Sequence, residues 1–257
     1  MAITSTLPPC YWQFPDPIQA DPLGEGLVAV GADLLPATIL AAYQKGIFPW
    51  FSGDDPICWW CPEPRCIIEP ESFKPSKTLI RSLKKNQYTL TLNQDFAAVM
   101  QACRDARIHA EGTWISKDII QGYSGLHAVG LAHSIEVWQK NPEASEKPHL
   151  VGGLYGVQLG RAFFGESMFS TQTDVSKMAF TFLMQLCAAS HFPFVDCQLP
   201  NTHLMSLGAI TQPRAVFLEK LESVLTKPAP NWKLLQNRHF NCAELLTNSL
   251  FSGLIEG

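Results

Sequence analysis

Charged residues are scarce in this chain. They make up 16% of 257 residues, and 19 Lys+Arg are outnumbered by 23 Asp+Glu, a formal net charge of −4. An average soluble chain carries roughly a quarter charged residues. With 46% hydrophobic residues, the sequence is not of the polar, highly charged kind that stays disordered. The balance also excludes a protein that is basic throughout and holds nucleic acid by bulk charge. No run of about 18 apolar residues occurs, so no membrane span is expected. The opening MAITSTLPPCYWQFPDP has neither a basic residue nor an apolar stretch long enough for a signal peptide, so no secretory signal is expected. Internal repeats and low-complexity segments are lacking too. A soluble cytoplasmic globule is the expectation, one large domain or a small one beside a medium one.

Metal ligands are also short. Cys58-x2-Cys61 with Cys66 nearby resembles half of a zinc knuckle. A structural zinc site takes four ligands, usually as two such pairs, and no second CxxC or paired His exists. The eight cysteines (Cys10, Cys58, Cys61, Cys66, Cys103, Cys187, Cys197 and Cys242) are therefore read as free thiols, and no metal is expected. A P-loop is absent. So is the Gly-rich turn that cradles a pyrophosphate, since Ser170-Thr171-Gln172-Thr173-Asp174 precedes the long helix instead.

What is present divides in two. No Lys or Arg precedes Lys45, and the opening is rich in Pro and Gly, with one helix expected from Pro36 to about Lys45. Gly46–Pro64 (GIFPWFSGDDPICWWCPEP) holds too many prolines for a regular element and reads as a packed loop. A small N-terminal domain, 1–66, is expected to end here, with a second domain over 67–257. In the latter, a basic helix is expected from Lys77 to Asn86, capped by Ser76. Tyr88–Leu92 alternates as a strand. Two further helices follow, Asp95–Cys103 capped by Asn93 and Lys117–Val129 capped by Ser116. Three strand-like runs, His133–Gln139, Leu150–Gln158 and Arg161–Glu166, are joined by a polar loop (NPEASEKP) and a tight turn at Gly160, as in an antiparallel meander. A long helix at Asp174–Ser190, a short strand at Phe192–Gln198, a helix at Pro213–Leu225 and a weakly patterned tail complete the chain. The class is α+β, with helices flanking a mainly antiparallel sheet.

Four constellations could carry chemistry. Glu166, at the end of the apolar run AFFG, must be paired, have a raised pKa or meet a cationic ligand; otherwise it is a partly exposed strand-end residue. Asp196 and Gln198 alternate onto one strand face about 7 Å apart and could orient an amine between them; alternatively Asp196 ties down the Pro200–Asn201 turn. Lys77, Arg81, Lys84 and Lys85 share one helical face, either a solvated surface or a contact for a phosphate backbone. Among the aromatics, Trp59 and Trp60 suit a core, whereas Trp50 follows Pro49 in a loop where it could stack on a nucleobase.

With these residues in hand, the sequence resembles the leucyl/phenylalanyl-tRNA–protein transferases. The matching stretches include FPDP (14–17), GLVAVGADL (26–34), AAYQKGIFPWFSGDDPICWWCPEPR (41–65), GTWI (112–115), AHSIEVW (132–138), VGGLYGVQLGRAFFGESMFS (151–170), DCQ (196–198) and SLGA (206–209). The chain departs from the family in having Gly31-Ala32-Asp33 for GGD and WWCPEPR for WWSPDPR, and Asp174-Val175 where an Asn is usual. The resemblance implies a GNAT-like acyltransferase C-terminal domain behind a small N-terminal one. It implies transfer of Leu or Phe, and less well Met, from tRNA to proteins with N-terminal Arg or Lys, marking them for N-degron degradation. Asp196 and Gln198 match the family's catalytic pair. Trp50, Trp114, Phe163, Glu166 and Met168 match its donor pocket and tRNA 3′-end contacts, and Lys77, Arg81, Lys84 and Lys85 its tRNA-binding cluster. No cofactor is implied, because an aminoacyl ester is already activated. A monomer using Leu-tRNA and Phe-tRNA as donors is expected. The rival classes are an acyl-CoA-dependent N-acetyltransferase and a non-catalytic RNA- or peptide-binding adaptor.

Overall fold

The computed structural model describes residues 7–53, 55–108, 113–139, 148–247, 250–251 and 253. Most of the NPEASEKP loop and Gly112 of GTWI lie outside the described residues.

The N-terminal part begins with a single turn, α1 (Pro17–Ala20), whose N–H groups at Ile18 and Gln19 are capped by the Asp16 carboxylate. It continues through β1 (Leu27–Val30), α2 (Pro36–Tyr43), β2 (Phe48–Pro49) and β3 (Cys58–Trp60). The three strands form an antiparallel sheet in the order β1-β3-β2. The proline-rich segment expected as a loop thus carries two strands. Its proline is tolerated because β2 is an edge strand, where a missing N–H breaks no ladder. Trp59 is fully buried in the central strand, with Phe14 edge-on at 4.7 Å.

The rest of the chain runs β4 (Arg65–Ile68), α3 (Lys77–Lys84), β5 (Tyr88–Leu92), α4 (Phe96–Ile108), α5 (Lys117–Ala128), β6 (Ala132–Gln139), β7 (His149–Leu159), β8 (Ala162–Ser170), α6 (Val175–Ala189), β9 (Val195–Gln198), α7 (Thr202–Ser206), β10 (Ile210–Gln212), α8 (Arg214–Leu225) and β11 (Phe240–Asn241). Eight of these strands make one sheet, ordered β10-β4-β9-β8-β7-β6-β5-β11. Every neighbouring pair is antiparallel except β8–β9. Ser76 and Ser116 cap α3 and α5 as expected. The cap of α4 is Asp95, which accepts from Ala98 N, and not Asn93. Asn93 instead has φ of 60° and binds Ser134 N across to β6.

The sheet buries a core on each face. On one side Ile39, Tyr43 and Trp59 meet Phe96 of α4, Tyr123 of α5 and Phe217 of α8. On the other, Leu79 and Leu83 of α3 and Met178 and Phe182 of α6 meet Trp232, Phe240 and Leu245. These last three belong to the tail that appeared weakly patterned. The tail folds as two 3-10 turns around β11, and β11 pairs with β5. Its apolar residues serve packing from short irregular elements, so they leave no 3.6- or 2-residue period to read.

Candidate functional site

The two parallel strands pair only at Phe163↔Val195 and Phe164↔Asp196. Beyond these pairs β8 stays with β7 as far as Ser170, while β9 ends at Gln198 in the left-handed region (φ 61°). A cleft of about 420 Å³ opens where they part, a volume suited to a small-molecule-sized group. Register slips at the same place, from Gly156↔Gly165 to Tyr155↔Ser167, so Glu166 is the extra residue of a β-bulge. A bulge turns two successive side chains to one face, and here Glu166 and Ser167 both line the cleft.

Glu166 is therefore not a strand-end residue. Oε1 accepts the Tyr43 hydroxyl at 2.5 Å and Gln198 Nε2 at 3.0 Å, and Oε2 accepts the Tyr123 hydroxyl at 3.1 Å. The two phenols lie 2.6 Å apart. Burial raises the carboxyl pKa to about 7, against the phenol hydrogen bonds that lower it; the Asp196 charge adds to the rise and Gln198 opposes it. Burial and the Glu166 charge push both phenols well above their ordinary range, so they stay protonated donors.

The Asp196 carboxylate and the Gln198 side chain do not share a face as strand alternation suggested. Asp196 is fully buried and gripped by Arg65, Nε to Oδ1 at 2.8 Å and Nη2 to Oδ2 at 2.6 Å. The guanidinium lies between the rings of Phe48 and Phe217, 5.1 and 4.4 Å from their centroids. Asp196 reaches Gln198 only through the backbone, where Oδ1 accepts Gln198 N at 3.0 Å. Cys197 and Gln198 line the cleft and Asp196 does not, because positive φ at Gln198 breaks the alternation.

The aromatic expectations divide similarly. Trp50 is 43% exposed at the cleft, edge-on to Trp60, and Trp114 and Met168 line it as well. Phe163 does not. It is buried on the far face against Trp232, 5.8 Å between centroids, and its ring fills the space at Gly156. Phe180 and Leu183 of α6 supply apolar wall in its stead. Lys77, Arg81 and Lys84 are exposed on α3, which packs against α6, and Lys85 is exposed at its C-cap.

Several lining or supporting groups escaped the sequence reading: Tyr43, Tyr123, Arg65, Arg107 and Tyr155. They come from five elements, and no local spacing announces them. Among the described residues no three His, Cys, Asp or Glu side chains gather as a metal site, and no helix is long and apolar enough to cross a membrane. All eight cysteines carry free thiols.

Comparison with known proteins gives this geometry a family. Residues 67–222 match the model described as leucyl/phenylalanyl-tRNA protein transferase, and residues 32–63 match that of its N-terminal domain. Proteins named leucyl/phenylalanyl-tRNA–protein transferase from Psychrobacter cryohalolentis and Psychrobacter arcticus are each 46% identical, covering 93% of this chain and 89% and 88% of their own. The one from Hahella chejuensis is 48% identical over 82% of this chain and 87% of its own. At such identity over nearly the whole length, the chain belongs to the leucyl/phenylalanyl-tRNA–protein transferases, a family of aminoacyltransferases.

Proposed function

We propose that the cleft between β8 and β9 is where Leu, Phe and, less efficiently, Met pass from their tRNA to the N-terminal Arg or Lys of an acceptor protein. The new peptide bond marks the acceptor for N-degron degradation. The observation that carries this reading is the Glu166–Gln198 hydrogen bond at the cleft wall, 3.0 Å long, beside an aromatic and apolar lining. A carboxylate has about four lone-pair sites; one phenol O–H serves the 2.6 Å contact between the two phenols, so the donors around Glu166 leave at least one site for a ligand N–H. Gln198 spends one amide N–H on Glu166, and its amide oxygen is left to accept from the attacking amine.

An N-terminal amine has a pKa near 8, so roughly a tenth is neutral at pH 7. A carboxylate titrating near neutrality is suited to take the proton, a step that typically contributes about 10²–10⁴-fold. The neutral amine nitrogen then attacks the ester carbonyl carbon, the bond to the ribose oxygen breaks, and that oxygen leaves with the second proton that the nitrogen gives up on becoming an amide. Asp196, held by Arg65, acts as a positioning residue that fixes the backbone of Gln198. Asp196 and Gln198 so keep their place as the pair around which the reaction is built, with Glu166 as the proton acceptor.

Met168, Phe180 and Leu183 form the apolar wall for the donor side chain. Such walls separate similar shapes by only about 1–3 kcal/mol per methylene, which suits tolerance of Leu, Phe and Met together. Trp50 and Trp114 offer faces for the terminal adenine, and Lys77, Arg81, Lys84 and Lys85 the phosphate-binding face. The splayed parallel pair supports a GNAT-like plan for residues 67–257, with 1–66 as the smaller domain. Donor wall, amine-binding groups and basic face all lie on one chain, in keeping with a cytoplasmic monomer that uses no cofactor. Incubation with leucyl-tRNA and an Arg-starting peptide should add the mass of one Leu to the peptide. An unchanged mass would overturn the proposal in favour of an adaptor, and acetyl transfer from acetyl-CoA would favour the N-acetyltransferase.

A further inference from the structure

One end of the cleft carries polar groups that the transfer chemistry above leaves unused. Arg107, in the last turn of α4, lines it and is exposed. Nε donates to Ser167 Oγ at 3.2 Å, and the three ion pairs among the described residues, Arg65–Asp196, Arg214–Asp21 and Lys177–Asp174, do not involve it. A guanidinium has five N–H donors, so four remain after the bond to Ser167. Tyr155, whose hydroxyl feels the Arg107 charge, lies in the cleft wall with no exposed surface, and among the described residues that hydroxyl has no hydrogen-bond partner. A buried polar atom without a partner is uncommon and calls for one. Ser167 is 7% exposed and follows Glu166 directly on the bulge, so the anchor of the guanidinium is adjacent to the residue that faces the amine.

We propose that Arg107, oriented by Ser167 and joined by the Tyr155 hydroxyl, binds the phosphodiester that links the last two nucleotides of the donor tRNA. This deepens the transferase reading and rests on it. A planar fork of donors matches the oxygens of a phosphate better than a point charge does. The aminoacyl ester sits on the terminal ribose, and the phosphate nearest to it is the one on that nucleotide's own 5′ oxygen. A donor whose aminoacyl group lies at Glu166 brings that phosphate to the neighbouring wall.

The test compares leucyl-tRNA with the leucyl ester of adenosine, which has no phosphate, as donors to one Arg-starting peptide. Arg107→Ala should raise KM about 10–100-fold for leucyl-tRNA, the loss of charge-assisted hydrogen bonds. KM for leucyl-adenosine should stay within about twofold, which also shows that the variant is folded. Ser167→Ala should give a smaller loss with the same selectivity, and Arg107→Lys should recover part of the affinity. Equal losses on both donors, or an unchanged KM for leucyl-tRNA, would overturn the assignment. If the unsubstituted protein transferred Leu from neither donor, the transferase reading itself would fall, a result distinct from either of those.

Discussion

Replacing Tyr43 by Phe removes one hydroxyl from the Glu166 network and leaves the ring that packs against Phe164. That hydroxyl lies 2.5 Å from Oε1 and favours the ionised carboxylate, opposing the burial that raises its pKa to about 7. A hydrogen bond to a charged group contributes about 1.5–3 kcal/mol. One pKa unit corresponds to about 1.4 kcal/mol, so Glu166 in the variant should titrate about one to two units higher. The assay is kcat/KM for Leu transfer to one Arg-starting peptide from about pH 6 to about pH 9.5, expressed as the ratio of unsubstituted protein to variant. Taking the ratio cancels the titration of the acceptor amine. If the ionised form of Glu166 is the active one, the ratio should approach about 10–100 at the acid end and fall toward one above about pH 9. A ratio that stays flat across this range, or a variant that is faster at low pH, would refute the assignment of Glu166 as proton acceptor.

Four other outcomes are expected. The Glu166 pKa is raised from 4.5 to about 7, so its stabilising contribution is fully present below about pH 4.5 and lost as pH rises through about 7; urea unfolding of Glu166→Gln should lose that downward slope. Arg65→Met leaves Asp196 buried without a counter-charge and should cost about 3–5 kcal/mol in chemical denaturation, with a small loss counting against the pair as a structural clamp. Gly160 has φ of 55°, and a Cβ there would lie 2.3 Å from Val224 O; Gly160→Ala should lower stability by more than about 1 kcal/mol, measured by thermal unfolding. Reversing the charges of Lys84 and Lys85 should weaken binding to all tRNAs alike and flatten the dependence of log K on log salt, and a loss confined to one tRNA would contradict a phosphate contact.

The elements that could be read from sequence are those whose signals are local. Ser76 and Ser116 sit three residues before the N–H groups they cap, and the meander around Gly160 shows in strand alternation and a single turn. Pro49 misled because the rule against proline in strands does not hold at an edge, and edge position depends on a partner ten residues away. Asn93 looked like a cap because its side chain type fits, but its contact is with β6, some forty residues on. At the site, the sequence singled out Glu166 with no view of its partners, since Tyr43 and Tyr123 lie 123 and 43 residues away. Phe163 was placed at the cleft by the family resemblance, whereas in the fold its ring packs against Trp232 on the other face of the sheet, a partner about seventy residues away that no local pattern shows. Asp196 and Gln198 were legible as a pair, but the single positive φ that separates their side chains was not.

Both outer strands of the large sheet are supplied late. β10 borders β4, and β11 pairs Phe240 with Leu90 of β5. On a ribosome adding about 5–20 residues per second, β5 emerges roughly 150 residues ahead of its neighbour and waits on the order of 10–30 seconds with one edge open. An unpaired edge is a template for association with other chains. Nascent chains of this protein should therefore depend on holdase chaperones until the tail is released. A stop codon near residue 230 would yield aggregates and proteolysis rather than a soluble, merely inactive enzyme.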